Sequence, residues 1–197
     1  MRMTEMLGPL VLFAAAVTLT PGPNVVLVTA SAANFGFRRT VPQMLAITLG
    51  FGSMALATGL GLAGVVHAEP RLHAVLKYAG AAYLLYLAWR IARADAASAS
   101  ARQPIGFIEA TLFTWTNPKA WVSVLGAAAA FTTMGGDLLA ESALIAAILA
   151  VFCQLSTAVW AGFGTVIGRY LASARARRAF NLSMAGLLVL SLIPVFW

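Results

Sequence analysis

Six long apolar segments run along the chain, and short stretches that carry most of the charged residues separate them. The segments cover residues 7–33, 41–66, 72–91, 106–132, 138–167 and 180–197. None of them alternates with the period of two that a barrel strand requires. Each is close to or above the roughly 20 residues that a membrane-spanning helix needs. The pattern predicts six transmembrane helices.

The composition indicates a lipid environment rather than an aqueous one. Of the 197 residues, 61% are hydrophobic and 10% are charged, whereas an ordinary globular domain is about a quarter charged. Such hydrophobicity excludes a disordered chain, and a single cysteine, Cys153, excludes a disulfide scaffold. The net charge is +7, but nucleic-acid-binding proteins cluster their basic residues on one solvated face, which six long apolar segments cannot provide. We therefore expect an all-α integral membrane protein.

The basic residues of alternate loops predict how the helices are oriented. One side of the bilayer holds nine arginines: Arg38, Arg39, Arg90, Arg93, Arg102, Arg169, Arg175, Arg177 and Arg178. The other side holds three basic residues: Arg2, Arg71 and Lys77. Because cytoplasmic loops are enriched in Lys and Arg, the first side should face the cytoplasm and both termini should lie outside it. Trp89 and Tyr170 would then mark the cytoplasmic interface, and Trp197 the outer one.

Two of the six segments contain prolines near their middle. The first holds Thr20, Pro21, Gly22, Pro23 and Asn24, and the fourth holds Thr116, Asn117, Pro118 and Lys119. A proline in a helix interior costs about 3 kcal/mol and frees backbone groups that lipid cannot satisfy. A charge at mid-helix costs a further ~2.5–3.5 kcal/mol. Taken singly, each site reads as a kink, but the matched pair indicates two broken helices.

The pairing predicts an internal repeat. Residues 1–93 would form one three-helix half and residues 106–197 the other, joined by a polar cytoplasmic linker over residues 94–105. A half with an odd number of spans inverts the half that follows it. Inverted repeats whose broken helices meet at the midplane are typical of secondary transporters. The nine residues of the two breaks are therefore the predicted substrate-binding site.

The expected chemistry of that site suits a zwitterion. Backbone amides near residues 25–27 and 120–122 would lack intrahelical partners and, together with Lys119, would attract a carboxylate. Carbonyls near residues 17–20 and 113–116 would receive an ammonium group. No Asp or Glu lies at this depth, which argues against a cationic side chain on the substrate. Small neutral amino acids fit best.

Other residues within the spans have two readings each. Glu109 is a candidate proton carrier, and its alternative role is to pair with arginines of the cytoplasmic loops. Phe113, Trp115 and Trp121 either line the pocket or pack against neighbouring helices, and packing is the reading we favour. No ATP-binding motif is present, so an ion gradient or the gradient of the substrate would drive transport.

Three sequence motifs resemble a known family. TPGPN in the first segment, AGAAYLLYLAW over residues 79–89 and NPKA over residues 117–120 resemble the LysE/RhtB family of amino-acid exporters, in order and spacing along essentially the whole chain. The resemblance implies a six-span inner-membrane protein that exports amino acids and their derivatives. NFGFRRT over residues 34–40 and LGF over residues 49–51 also resemble the branch that exports cysteine and O-acetylserine.

The remaining motifs favour packing over chemistry. Gly59-x-Gly61-x-x-Gly64 lacks the strand and the acidic residue of a dinucleotide site and reads as a packing stripe. Gly164-x-x-x-Gly168 has the spacing of close helix packing, and a homodimer is one expectation from it. His67 and His73 have no companion ligands, so no metal and no cofactor is expected, and no enzyme. A channel for small solutes or a non-transporting subunit of a larger complex remains the alternative function.

Overall fold

The computed structural model describes residues 3–62, 70–93, 103–133, 136–171 and 173–193. Within these ranges the chain is helical and contains no strand. The eight helices are α1 (Met3–Leu19), α2 (Pro23–Phe35), α3 (Phe37–Ala57), α4 (Pro70–Ala92), α5 (Phe107–Thr116), α6 (Pro118–Phe131), α7 (Leu138–Tyr170) and α8 (Ala174–Leu190). Several residues named above lie outside the description: Arg2, Gly64, His67, most of the 94–105 linker with Arg102, and Trp197.

The first predicted span is broken where its prolines predict. Helix α1 ends at Leu19, α2 begins at Pro23, and the two helices meet at an angle of 55°. Gly22 precedes α2 in an extended conformation, and Pro23 occupies its first position. Proline suits that position because the first amides of a helix have no intrahelical acceptor.

The fourth predicted span is broken as well, over a single residue. Helix α5 ends at Thr116 and α6 begins at Pro118, with Asn117 between them in an extended conformation. The Asn117 side chain caps α6, since its Oδ1 accepts a hydrogen bond from the Lys119 amide at 3.1 Å. Both predicted helix breaks are therefore confirmed.

Fewer of the described helices are long and apolar enough to cross a membrane than the six spans that we predicted. Residues 37–62 and 138–170 form helices long and apolar enough to cross a bilayer, and the bent pair α1–α2 adds a third span if it is counted as one. A π-helical turn, Thr58–Leu62, ends the first of these, where Gly61 has a φ of 118°. The six-span inverted repeat stays a prediction.

The last helix begins earlier than its apolar segment. We predicted a span over residues 180–197, whereas α8 starts at Ala174 and ends at Leu190. The reason is a cap outside the apolar stretch, because the Ser173 hydroxyl accepts a hydrogen bond from the Ala176 amide at 3.1 Å. The basic turn that follows this cap is helical although it is not apolar.

Helix α7 is the centre of the packing and contacts α1, α2, α3 and α6. Its two glycines at 164 and 168 lie against the backbone of α2: a Cβ on either would be 2.4 Å from the carbonyl oxygen of Thr29 or of Ala33. The motif that suggested a homodimer thus packs within the chain, and α2 already covers this face. Gly59 packs in the same way, because its Cβ would meet Ser142.

The arginine-bearing helix ends lie at one end of the bundle. Asn34, near the end of α2, donates to Asn181 of α8 at 2.8 Å, and the end of α7 lies beside Ala33. Arg90 at the end of α4 pairs with Glu109 at the start of α5. The break in α1–α2, by contrast, lies beside Ser156 near the middle of the 33-residue α7. The breaks are therefore remote from the basic end.

Candidate functional site

The two helix breaks face each other across the middle of the bundle. The Asn117 side-chain amide donates to Oδ1 of Asn24 at 3.2 Å, and Asn117 is only 2% exposed. The Lys119 ammonium reaches across to the carbonyl oxygens of Thr20 at 2.5 Å and Pro21 at 3.4 Å. One hydrogen bond between the asparagines and two from the lysine to the backbone thus join the two breaks.

The sequence offers no acidic residue at the depth of Lys119, and the structure shows which groups bind its ammonium instead. Its partner is the opened backbone of the first break rather than an acidic side chain. Gly22 makes the approach possible, because a Cβ there would lie 2.6 Å from Lys119 Cδ and 3.0 Å from its Nζ. Two carbonyl acceptors compensate a half-buried ammonium in an apolar surrounding without a second charge.

The carbonyls at the end of α1 were expected to be free for a ligand, but side chains of the protein bind them. Ser156 Oγ donates to the Thr18 carbonyl at 2.6 Å, and Trp160 Nε1 donates to the Leu19 carbonyl at 3.4 Å. The Lys119 ammonium donates to the next two carbonyls, those of Thr20 and Pro21. The reason is the absence of water in a membrane interior, where every backbone group needs an internal partner.

The carbonyls at the end of α5 are also taken, by groups close to them in sequence. The Phe113 carbonyl accepts from the Thr116 hydroxyl at 3.1 Å, and the Thr114 carbonyl accepts from the Asn117 amide at 3.2 Å. The Trp115 carbonyl accepts from Trp121 Nε1 at 2.7 Å. The expectation of open carbonyls at residues 113–116 is therefore wrong for these three.

The helix amides without an intrahelical acceptor fall at the start of the two predicted ranges, residues 25–27 and 120–122, and the later amides of each range are bonded within the helix. In α2 the first intrahelical donor is Val26, which bonds the Gly22 carbonyl at 2.9 Å, so Asn24 and Val25 precede the ladder. In α6 the Trp121 amide bonds the Asn117 carbonyl at 3.2 Å, and the side-chain cap binds Lys119, which leaves Ala120. Both N-termini still carry partial positive charge.

A cavity of about 40 Å³ lies between the breaks. Of the predicted site residues, Thr20, Gly22, Pro23, Asn24, Asn117 and Lys119 line it. Pro21 contributes its carbonyl to Lys119, Pro118 starts α6, and Thr116 presents its carbonyl to Gly80 of α4. The volume holds about one water molecule, so the site is too small for an amino acid in this conformation.

Several lining residues were not predicted from the sequence. Cys153, Ser156 and Thr157 of α7 line the cavity together with Ser123 of α6 and Phe51 of α3. The three α7 residues are spaced three and four apart, which places them on one face of the helix. Small polar residues with this spacing in an apolar helix could have been used to predict a face that lines the site.

The aromatic residues near the second break pack against other side chains. The rings of Trp115 and Trp121 lie edge to face at 6.1 Å, and Trp115 Nε1 donates to the Ser53 hydroxyl at 3.3 Å. Phe113 is fully buried beside the ring of Tyr83, at 5.9 Å between ring centres. None of the three appears among the described residues that line the cavity.

The two carboxylates near the ends of α5 and α7 are both engaged. Glu109 forms an ion pair with Arg90 and lies at the end of α5 remote from the break. Glu141, which the sequence did not single out, is 6% exposed and accepts a hydrogen bond from the Thr133 amide at 2.8 Å. Neither residue is among the described residues that line the 40 Å³ cavity.

Comparison with known proteins gives one family. Residues 15–193 match the family model described as "LysE type translocator". The chain is 31% identical over 181 residues to the "Cysteine/O-acetylserine efflux protein" of Salmonella choleraesuis, with 91% of each chain covered. It is 28% identical to the protein of the same name from Escherichia coli K12, again with 91% of each covered.

A further relative and the solved structures complete the comparison. The chain is 34% identical over 173 residues to an "Uncharacterized membrane protein" of Pseudomonas aeruginosa, with 82% of this chain and 79% of the other covered. No solved structure matches the chain.

Proposed function

Because the chain belongs to the LysE type translocator family, and is thus a membrane transporter rather than an enzyme, we propose that it exports small neutral amino acids or their derivatives from the cytoplasm. The relatives at 28–31% identity are named cysteine/O-acetylserine efflux proteins, so cysteine and O-acetylserine are the first candidates. Homoserine and threonine are the second. The membrane is the inner (plasma) membrane, crossed by six spans in two inverted repeats with both termini outside the cytoplasm.

One observation carries the proposal: two broken helices meet at the pair Asn24–Asn117, with a lysine between them. The positive ends of α2 and α6 converge there, and both favour an anion. Lys119 adds a full positive charge at the same place. A substrate carboxylate fits beside Asn24 and Ala120, where the backbone amides precede the hydrogen-bonded ladders.

During transport the substrate ammonium group takes the place of the Lys119 ammonium on the backbone carbonyls of the first break. In the substrate-free site the Lys119 ammonium binds the carbonyls of Thr20 and Pro21. A zwitterion that enters between them draws Lys119 to its carboxylate and places its own ammonium group on the vacated carbonyls. The exchange conserves the charge of the site and leaves no buried group unpaired, which avoids the cost of an unsatisfied carbonyl.

The lining residues support a small neutral side chain. No Asp or Glu is among the described residues around the 40 Å³ cavity, so a second cation would be buried without a counter-charge. Ser123, Ser156, Thr157 and Cys153 line the same space. Such groups accept a polar or esterified side chain of a few atoms. Expansion of the cavity is part of the transport cycle.

The direction and the driving force follow from the same features. The arginine-bearing end of the bundle faces the cytoplasm under the positive-inside rule. Transport is driven by the substrate gradient or by an ion gradient, and Glu109 is the proposed proton carrier, which has to leave Arg90 in order to accept a proton.

Counterflow in liposomes tests the proposal. Purified protein in vesicles preloaded with unlabelled O-acetylserine should accumulate labelled O-acetylserine transiently, and cysteine, homoserine or threonine inside should support it, whereas lysine should not. Protein-free vesicles are the control. Absence of counterflow with every one of these amino acids would refute an exporter and leave the subunit role. Equilibration that does not depend on substrate on the far side would indicate a channel.

A further inference from the structure

A second, larger cavity opens at the basic end of the bundle. It has a volume of about 500 Å³ and lies between α2 and α4. Leu27 and Ser31 form part of one wall, and Tyr86, Trp89, Arg90 and Arg93 form part of the other. Helix α8 packs against both of these helices. Nothing in the two-break site uses this space.

The larger cavity lies close to the two breaks. Leu27 follows Asn24 by three residues, which is a rise of about 4.5 Å along α2. Leu27 borders the larger cavity and Asn24 borders the smaller one. Ligand pockets measure roughly 300–1,000 Å³, so the larger cavity has room for a small amino acid in a conformation where the 40 Å³ site has room for one water.

The wall formed by α4 carries both kinds of group that bind a zwitterion. The Arg90 guanidinium lies 5.7 Å from the centre of the Tyr86 ring, and that of Arg93 lies 4.9 Å from the centre of the Trp89 ring. A guanidinium binds a carboxylate through two parallel hydrogen bonds. Aromatic faces attract an ammonium group.

The ion pair between Arg90 and Glu109 brings together the same two charges that a zwitterionic amino acid carries. The two side chains are each 32% exposed and contact each other directly. A zwitterion supplies one carboxylate and one ammonium group, so it replaces each partner of the pair with a group of the same charge. The exchange leaves neither Arg90 nor Glu109 without a counter-charge.

We propose that this cavity is a second amino-acid site, where a zwitterionic substrate waits before it reaches the two breaks. Arg90 binds its carboxylate. The ammonium group lies at the Tyr86 ring and reaches Glu109, which contacts Arg90 but is not itself among the described residues that line the cavity. The proposal rests on the export function proposed above. It assigns to Arg90 a direct contact with the substrate, which a purely structural ion pair would not make.

Protection from a thiol reagent tests the site. The variant Ser31→Cys places a thiol in the wall of the larger cavity, while the native Cys153, which is buried beside the smaller cavity, should react only when that cavity opens. The protein is held in phosphatidylcholine nanodiscs and treated with N-ethylmaleimide, and peptide mass spectrometry follows each position separately. O-acetylserine, which has no thiol, should slow modification at position 31 in a saturable way, and its methyl ester, which lacks the carboxylate, should not.

Two substitutions separate the sites. Arg90→Gln should raise the O-acetylserine concentration that half-protects position 31 by tenfold or more, whereas Lys119→Met should leave that concentration unchanged. Arg169→Gln, at an exposed position of α7 outside both cavities, is the matched control and should have no effect. If Arg90→Gln does not yield folded protein, Arg90→Lys, which keeps the charge and its pairing, should weaken protection to a smaller degree.

Each contrary result has a defined meaning. Counterflow without protection at position 31, or protection that Lys119→Met abolishes and Arg90→Gln preserves, overturns the second site and leaves the exporter intact. Slower modification caused by phosphatidylglycerol alone, without amino acid, makes the cavity a lipid-headgroup site and also overturns it. Saturable protection in a protein that shows no counterflow supports the site and contradicts export.

Discussion

The two helix breaks begin from similar sequences but are stabilised in different ways. In the second break the carbonyls of Phe113, Thr114 and Trp115 are bound by groups within six residues of them. In the first break the carbonyls of Thr18 and Leu19 are bound by side chains 138 and 141 residues away. The second break satisfies its carbonyls locally, whereas the first needs side chains of α6 and α7 to satisfy its own.

This difference assigns different roles to the two halves of the site. A break that satisfies its own backbone holds its shape wherever the helix moves. A break that depends on distant donors is stable only in conformations where those donors are within reach. We therefore expect the first break to change shape during transport and the second, with its capped α6, to serve as the fixed side. Lys119 belongs to the second break, and its ammonium binds the Thr20 and Pro21 carbonyls of the first break.

The largest effect should come from removing the first break. Replacing Pro21, Gly22 and Pro23 together with alanines favours one continuous helix, since alanine has the highest helix propensity. We expect protein that inserts into the membrane but shows no counterflow, because the N-terminus of α2 and the carbonyls that bind Lys119 are lost. Pro9→Ala is the matched control, since Pro9 lies inside α1 away from the break. Normal counterflow in the triple variant would make the first break a packing kink.

The second largest effect should come from Lys119→Met, which keeps the length of the side chain and removes its charge. A hydrogen bond to a charged group contributes ~1.5–3 kcal/mol, so half-saturation should rise roughly ten- to a hundredfold. Lys119→Arg should restore only part of the activity, because a planar guanidinium does not fit beside Gly22 as an ammonium does. Lys77→Met, at the other lysine of the chain, is the control.

Transport measured as a function of substrate concentration, normalised to folded protein, decides the role of Lys119. A change in half-saturation or rate per folded molecule supports contact with the substrate. A lower yield of folded protein with unchanged half-saturation would reduce Lys119 to a structural support of the first break.

The sequence predicts the position of both breaks because their cause is local. Pro21, Pro23 and Pro118 each lack an amide hydrogen and exclude the helix around them whatever the tertiary structure is. The partners of the freed carbonyls were beyond prediction, since Ser156 and Trp160 reach the first break only through the packing of α7. The same holds for Gly22, whose role depends on a lysine nearly a hundred residues away.

Sequence reasoning placed the start of α8 too late but read the glycine pair in α7 correctly as a close helix contact. The apolar pattern marks the part of a helix that lies in lipid, whereas Ser173 starts the helix before that part. The pair Gly164 and Gly168 indicates a close helix contact but does not name its partner, which is α2 of the same chain. Local chemistry predicts where helices break, and long-range packing decides what they touch.

A smaller effect should follow from Gly22→Ala. The added Cβ would lie 2.6 Å from Lys119 Cδ, and because a lysine side chain is flexible it can move aside. We expect an intact fold with a several-fold lower rate, since the ammonium leaves its carbonyls. Gly186→Ala, where a Cβ meets nothing within 4 Å, is the matched control. Equal transport in the two variants would show that the close approach of Gly22 and Lys119 has no function.

The smallest effects should distinguish the two asparagines and thereby test the comparison itself. Asn117→Ala removes both the cap of α6 and the bond to Asn24, whereas Asn24→Ala removes the bond alone. Loss of a helix cap costs ~0.5–2 kcal/mol, and about 1 kcal/mol lowers the Tm of a chain of this length by about 2–4 °C. Thermal unfolding in detergent should therefore rank Asn117→Ala below Asn24→Ala, with Ser173→Ala, at the exposed cap of α8, as the control for cap loss outside the site. The contrary outcome is that Asn24→Ala lowers the Tm as much as Asn117→Ala does. In that case the bond between the asparagines, and not the cap of α6, would stabilise the second break. Each break would then depend on the other, and the second could not serve as the fixed side.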